Sequence, residues 1–342
     1  MKNRPPMKIL LLDDEPERID RVSERLAGGG FEVVVVDGPQ ALEPAIVEHR
    51  PSLVVFGEGR FREYGALGAG RTQSATHHPV DTGKRFDAAE MARAIERGEF
   101  ALVYQPIVSL ETGGVSGFEA LIRWHHPDRG LVGPDNFIPL AEESGLIIAL
   151  GFFAVAEAAR QIAAWRAIIH AERPLSVSVN LSTVQFIHPD LVEVLRETVL
   201  PYGLPPGTIR FEITESALMQ DMEQANIALL KLKANGFPLY MDDFGTGYSS
   251  LSYLRHFPVD VLKIDKSFVR WMGVDEESDE IVRIIIHLAH TLRMKIVAEG
   301  VETPETLNKL RELGADYGQG YLFGKPLAPA DAEALLRADP RW

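Results

Sequence analysis

From Phe86 almost to its end the chain alternates short apolar runs with helical stretches, and this alternation restricts the fold more than any other feature. The strand-like runs read "FALVYQPIVSL", "GVSGFEALIRW", "LSVSVNLS", "TIRFEITES", "FPLYMDDFG", "DVLKIDKSF", "KIVAEGVE" and "DYGQGYLFG". Between most of them lie helical segments such as "FFAVAEAARQIAAWRAII", "QANIALLKLKANG" and "DEIVRIIIHLAHTLR". Helix punctuation agrees: Thr303 stands as an N-cap before Pro304, and Gly314 follows the last turn of that helix. Strands and helices alternating over about 240 residues predict an α/β fold, a (β/α)8 TIM-like barrel rather than an open sheet.

Ahead of this region, three apolar runs, "KILLL", "FEVVVV" and "PSLVVF", are separated by two helical stretches, the first from Pro16 to Leu26. This is a partial βαβαβ module like the opening half of a doubly wound sheet. Periodicity then disappears in a stretch rich in Gly, Thr and Ser, which reads as a linker. The expected division is residues 1–58, a linker over 59–85, and a barrel over 86–338.

Charge and composition narrow the function. Acids outnumber bases 49 to 35, for a net charge of -14, which argues against a broad surface for a nucleic-acid polymer. A small anionic ligand remains possible where the site supplies cations locally. The absence of cysteine excludes disulfides, thiolate metal sites and cysteine nucleophiles. The N-terminal apolar run, Ile9 to Leu12, is too short for a secretory signal, and the longest apolar stretch, Leu146 to Ala156, falls short of the roughly 18 residues of a membrane span. A cytoplasmic protein without a membrane partner is expected.

Polar residues sit where the strand runs end. Glu119, Asn180, Glu212, Asp242, Asp243, Lys263, Glu299 and Gln319 would each be costly to bury alone. A single strand-end acid is more often a helix cap or a salt-bridge partner. In a parallel barrel, however, all strand C-termini open onto one face, so these residues converge. Carboxylates and one amide, with no His or Cys, suit Mg²⁺ or Mn²⁺, and five carboxylates exceed what one such ion needs. Two ions, and a phosphate ester as substrate, are the expected chemistry. Lys263 either neutralises the acids, or orients the attacking water or takes part in proton transfer. Alternation would put Asp242 and Asp243 on opposite faces. The expectation is that Asp242 ends its strand facing the barrel mouth and that Asp243 lies just past it. His125 and His126 read as a solvated loop and His287 and His290 as packing residues, and none is placed in the site.

These motifs together resemble the EAL-domain family of cyclic di-GMP phosphodiesterases, a (β/α)-barrel family named for the triplet present here as Glu119-Ala120-Leu121. The resemblance covers residues 86–338, with "YQPIV", "FEALIRW", "FIPLAEESGLI", "SVNLS", "FEITES", "MDDFGTGYSSL", "LKIDKSFV", "VAEGVE" and "GQGYLFGKP" in the family's order. It implies metal ligation by Glu119, Asn180, Glu212, Asp242, Asp243 and Glu299, with Lys263 assisting the attacking water. It further implies catalytic roles for Glu119, Asp243 and Glu302, the last holding the loop 243–251 that couples metal site, substrate and dimer contact. Gln105, Leu121, Arg123, Asp265 and Gln319 match substrate-contacting positions. The implied activity is hydrolysis of cyclic di-GMP to linear pGpG by a homodimer that joins through the barrel. The alternative is a catalytically silent cyclic di-GMP sensor. The first 58 residues resemble a truncated response-regulator receiver: Asp13 and Asp14 match its acidic pair, but Gly57 and Glu58 stand where the phosphorylated aspartate belongs. That implies an unphosphorylated docking or dimerisation module, with a possible protein partner.

Overall fold

Two β-sheets organise the described residues, one parallel and one mostly parallel. The computed structural model describes residues 8–12, 19–20, 23–24, 27, 32–36, 41–49, 53–56 and 86–342, the last range without 170–174, 187, 221, 245–253, 255–256 and 275. Near the N-terminus, β1 (Lys8–Leu12), β2 (Glu32–Val35) and β3 (Leu53–Phe56) form a parallel sheet in the order β2-β1-β3. Leu10, Val36 and Ala45 make its small core, Ala45 coming from the helix Leu42–His49. The three strands fall where the apolar runs place them. Asp13, Asp14, Gly57, Glu58 and much of the expected helix from Pro16 to Leu26 lie outside the described residues.

The second sheet is the barrel. Its strands are β4 (Phe100–Ser109), β5 (Val115–His126), β6 (Gly130–Val132), β7 (Ser176–Leu181), β8 (Ile209–Thr214), β9 (Leu239–Phe244), β10 (Val261–Ile264), β11 (Lys295–Ala298) and β12 (Tyr317–Gln319). They order as β4-β12-β11-β10-β9-β8-β7-β5-β6, and a β4–β5 pairing closes eight of them into a barrel, with β6 a short hairpin partner on β5. The strand β4 runs antiparallel to both β5 and β12, while β5 and β7 to β12 run parallel. The cause is local: residues 110–114 are too few for a crossover, so "LETGG" can only return the chain as a hairpin.

Alternation divides each strand between the barrel interior and the surrounding helices. On β5, Phe118 faces outward and meets Trp165 at 5.0 Å, while Tyr104 of β4 meets the same ring at 4.8 Å. Trp165 belongs to the helix Ile147–Ile168, which buries Ala154, Val155, Ala158, Ile162 and Trp165. By length and composition this helix could cross a membrane, although the sequence reading found no stretch long enough. Half of its apolar stretch is buried inside the protein, and the charges that interrupt the run, Glu157 and Arg160, pair with each other at 2.6 and 2.8 Å.

A layer of Ile107, Tyr240, Val261, Val297 and Tyr317 fills the barrel. Arg210 donates to the Tyr240 hydroxyl there, and burial pushes that hydroxyl's pKa up to about 12.

Candidate active site

One step along the strands from that layer, toward their C-terminal ends, the inward positions turn acidic. Arg210 and Glu212 are two residues apart on β8, as are Tyr240 and Asp242 on β9, so period two carries each strand from the filling layer to the mouth. Lys263 of β10 stands at the centre of the acids. Its Nζ lies 2.5 Å from Glu212 Oε2, 2.7 Å from Glu299 Oε1, 3.1 Å from Asp242 Oδ2 and 3.7 Å from Glu119 Oε2. The lysine side chain is 1% exposed and that of Glu212 is 0% exposed. Glu119 is held from both sides, accepting from Asn180 Nδ2 at 2.8 Å and from Gln319 Nε2 at 2.6 Å. Gln319 Nε2 also reaches Gln105 Oε1 at 3.2 Å.

The neighbouring aspartates share the site through a bulge. Between β9 and β10 the register runs Tyr240 to Val261 and Met241 to Leu262, then Phe244 to Ile264, so Asp242 and Asp243 together oppose Lys263. The extra residue, Asp243, takes φ 55°, a left-handed conformation that aspartate tolerates better than most residues. Asp243 thus remains within β9 instead of lying past its end as the sequence reading expected. The bulge resets the alternation, and burial together with Asp242 and Asp265 raises the Asp243 pKa. Its backbone N–H donates to Asp242 Oδ1 at 2.9 Å.

Charge governs the protonation of this cluster. Burial alone would push Lys263 toward neutrality, but Asp242, Glu119, Glu212 and Glu299 hold its ammonium well above the ordinary lysine range. Burial, reinforced by Glu119 and Asp242, raises Glu212 well above the usual carboxylate range. Burial likewise lifts Glu299 to about 7 against the pull of Lys263. Glu119 goes the other way: burial pushes it up, yet Lys263 and the amides of Gln319 and Asn180 bring it below its ordinary value.

The donor set fits hard divalent cations. Glu212 Oε1 and Gln319 Oε1 are buried without a hydrogen-bond partner, and a single lysine faces four carboxylates within 4 Å. All the available donors are oxygens. As they stand the acids are drawn onto Lys263, and among the described residues no three of them form a ready cage for an ion.

The remaining expected residues lie around this centre. Leu121 and Arg123 follow Glu119 at period two on β5, and Arg123 donates from Nη1 to the Ile122 carbonyl at 2.8 Å. A cavity of about 410 Å³ opens beside Leu121 and Asn180. Asp265 caps the helix Lys266–Val269 by accepting from Ser267 N at 2.9 Å. Gly320 fixes Gln319, because a Cβ there would come within 2.2 Å of the Val301 backbone beside Glu299. Glu302 is exposed and forms no ion pair with Lys263. Most of the loop 243–251 lies outside the described residues.

Glu215, not singled out from the sequence, is 5% exposed at the start of the helix Glu215–Gln220. It stands directly after β8, the strand that carries Glu212. The reading of His126 as solvated is also corrected: it is buried, with Nε2 2.9 Å from Glu90 Oε1. His290 is exposed and meets Asp316 at 3.0 Å instead of packing.

Fold and site together define a closed barrel whose mouth gathers an oxygen-rich acidic cluster around one lysine. The family model described as "EAL domain" matches residues 88–326, and the chain belongs to the EAL-domain family. The bifunctional diguanylate cyclase/cyclic di-GMP phosphodiesterase MucR of Pseudomonas aeruginosa is 43% identical over 247 residues, which cover 72% of this chain and 35% of that protein. Cyclic di-GMP phosphodiesterase NbdA of the same organism is 43% identical over 249 residues, 73% of this chain and 32% of that protein. The chain therefore matches a minor part of these relatives' length. The structure of the PaMucR phosphodiesterase in its c-di-GMP complex is 41% identical with a TM-score of 0.68, covering 71% of this chain and 98% of that one.

Proposed function

We propose that this chain hydrolyses cyclic di-GMP to linear pGpG with two Mg²⁺ or Mn²⁺ ions. The observation that carries the reading is the convergence of Glu119, Glu212, Asp242 and Glu299 on Lys263, with Glu212 Oε1 and Gln319 Oε1 left unpartnered. Glu119, Asn180, Glu212, Asp242, Asp243 and Glu299 would hold the ions. When bound, such ions stabilise the charge that develops on the attacking and leaving oxygens of phosphoryl transfer.

The chain's own residues then divide the work. Gln105, Leu121, Arg123, Asp265 and Gln319 hold the dinucleotide, Arg123 by its forked donors. Lys263, at the centre of the four carboxylates, is placed to orient the attacking water. Glu302 holds the loop after Asp243. Overall, a water oxygen forms a bond to phosphorus, one P–O3′ bond breaks, and the departing 3′ oxygen takes a proton. Two barrels pair as a homodimer, and residues 1–58 serve as an unphosphorylated docking module.

A second reading is a silent cyclic di-GMP sensor that holds the nucleotide at the same barrel mouth without turning it over. Incubating the purified protein with cyclic di-GMP and Mg²⁺ or Mn²⁺ separates the two. Appearance of pGpG supports the enzyme, and tight binding without product supports the sensor. Covalent phosphate on the first 58 residues after treatment with a small phosphodonor would contradict the docking role.

A further inference from the structure

We propose that Phe86 and Glu90, at the start of the barrel, are positioning residues for Arg123. The inference rests on the proposed role of Arg123 at the substrate. Strand β5 is flanked by β4 and β7 from Gly117 to Ala120. Beyond Ala120 the strand leaves β7, and Leu121 to Arg123 keep only the ladder to β4, until β6 pairs with Trp124 to His126. Glu119 therefore sits in sheet paired on both sides, and Arg123 sits in the short stretch that β7 has left and β6 does not reach.

What holds it is the lead-in to the barrel. Phe86 packs on Trp124 at 4.7 Å and on His126 at 5.7 Å, and the Arg129 guanidinium covers the Phe86 ring at 4.1 Å. Trp124 Nε1 donates to Glu99 Oε2 at 3.0 Å, and His125 N donates to the Glu99 carbonyl at 2.8 Å. His126 Nδ1 accepts from the backbone N–H of Asp128 at 3.1 Å and of Arg129 at 3.3 Å, so Nε2 carries the proton it donates to Glu90. Glu90 is itself fixed, because the helix Ala88–Glu96 is capped by Asp87 and anchored through buried Met91 and Ala94. Side-chain and backbone contacts from Phe86, Glu90 and Glu99 thus hold Trp124, His125 and His126, the three residues that follow Arg123. The acidic cluster and Lys263 stand in closed sheet that this clasp does not touch. Loosening the clasp shifts Arg123 and leaves the reacting centre in place, which is a loss of uniform binding.

The test compares Glu90→Ala, Phe86→Leu and the conservative Glu90→Gln in the full chain, measuring kcat, KM for cyclic di-GMP, and Mn²⁺ affinity by calorimetry. Glu90→Ala and Phe86→Leu are expected to raise KM about tenfold with kcat within about twofold. Glu90→Gln, whose amide oxygen still accepts from His126, stays near wild type, and Mn²⁺ affinity is the same in all. Wild-type KM in both Glu90→Ala and Phe86→Leu, a fall in kcat at constant KM, or a changed Mn²⁺ affinity overturns the proposal. A wild-type protein that neither binds nor turns over cyclic di-GMP overturns the proposed function itself, and this inference with it.

Discussion

Lys263 Nζ lies 2.5 Å from Glu212 Oε2 in a pair that solvent scarcely reaches, and three more carboxylates crowd the same ammonium. One cation cannot neutralise four acids. The surplus negative charge is held by proton uptake in the metal-free chain and is the attraction a divalent ion would meet.

Replacing the lysine exposes that balance. Lys263→Met leaves the acids without their cation, and breaking a buried ion pair costs about 3 kcal/mol or more. The metal-free variant should melt several degrees below wild type, and Mn²⁺ should raise its melting temperature more than it raises that of wild type. Scanning calorimetry with and without Mn²⁺ checks this, and an equal shift in both proteins would count against the lysine as the cation that competes with metal.

Glu299 makes the cluster sensitive to pH. Its pKa of about 7 in the fold lies above the ordinary glutamate value, so in the metal-free protein the group costs stability as pH rises through that interval. Below the unfolded value it is protonated in both states and costs nothing. Glu299→Gln should therefore stabilise the metal-free protein at pH 8, by on the order of 3 kcal/mol, and leave it nearly unchanged near pH 4. Mn²⁺ binding should release a proton and weaken as pH falls below about 7, which titration calorimetry in buffers of different ionisation heat would detect.

The bulge at Asp243 separates conformation from charge. Asn also tolerates positive φ, so Asp243→Asn should fold at least as stably as wild type, relieved of a carboxyl whose ionisation burial opposes. Turnover should drop by more than about a hundredfold, beyond the usual effect of losing an outer-shell partner. Wild-type activity in a well-folded Asp243→Asn would remove Asp243 from the metal site.

Glu119 joins both sides of the mouth, bridging Asn180 and Gln319. Glu119→Ala should abolish turnover while the protein still folds, because β5 keeps its ladders to β4 and β7. A wild-type rate in this variant would refute the site assignment.

How much of this could be read from sequence depended on whether the signal was local. Acids at the ends of apolar runs announce themselves, because burying one is costly unless several meet, and Glu119, Asn180, Glu212, Asp242, Lys263 and Gln319 do come together. The bulge at Asp243 could not be read, since it exists only in the register between β9 and β10, strands joined by a long connection. The reversal of β4 is legible in "LETGG", which leaves no room for a crossover helix. His126 looked like a loop residue because its partner Glu90 lies 36 positions earlier and becomes a neighbour only on folding.

The most direct measurement is product analysis of cyclic di-GMP incubated with the purified protein and Mn²⁺ in ¹⁸O-labelled water. The account predicts linear pGpG as the product, with a single heavy oxygen on its 5′ phosphate. Nucleotide that binds tightly yet remains cyclic and unlabelled after hours would contradict it.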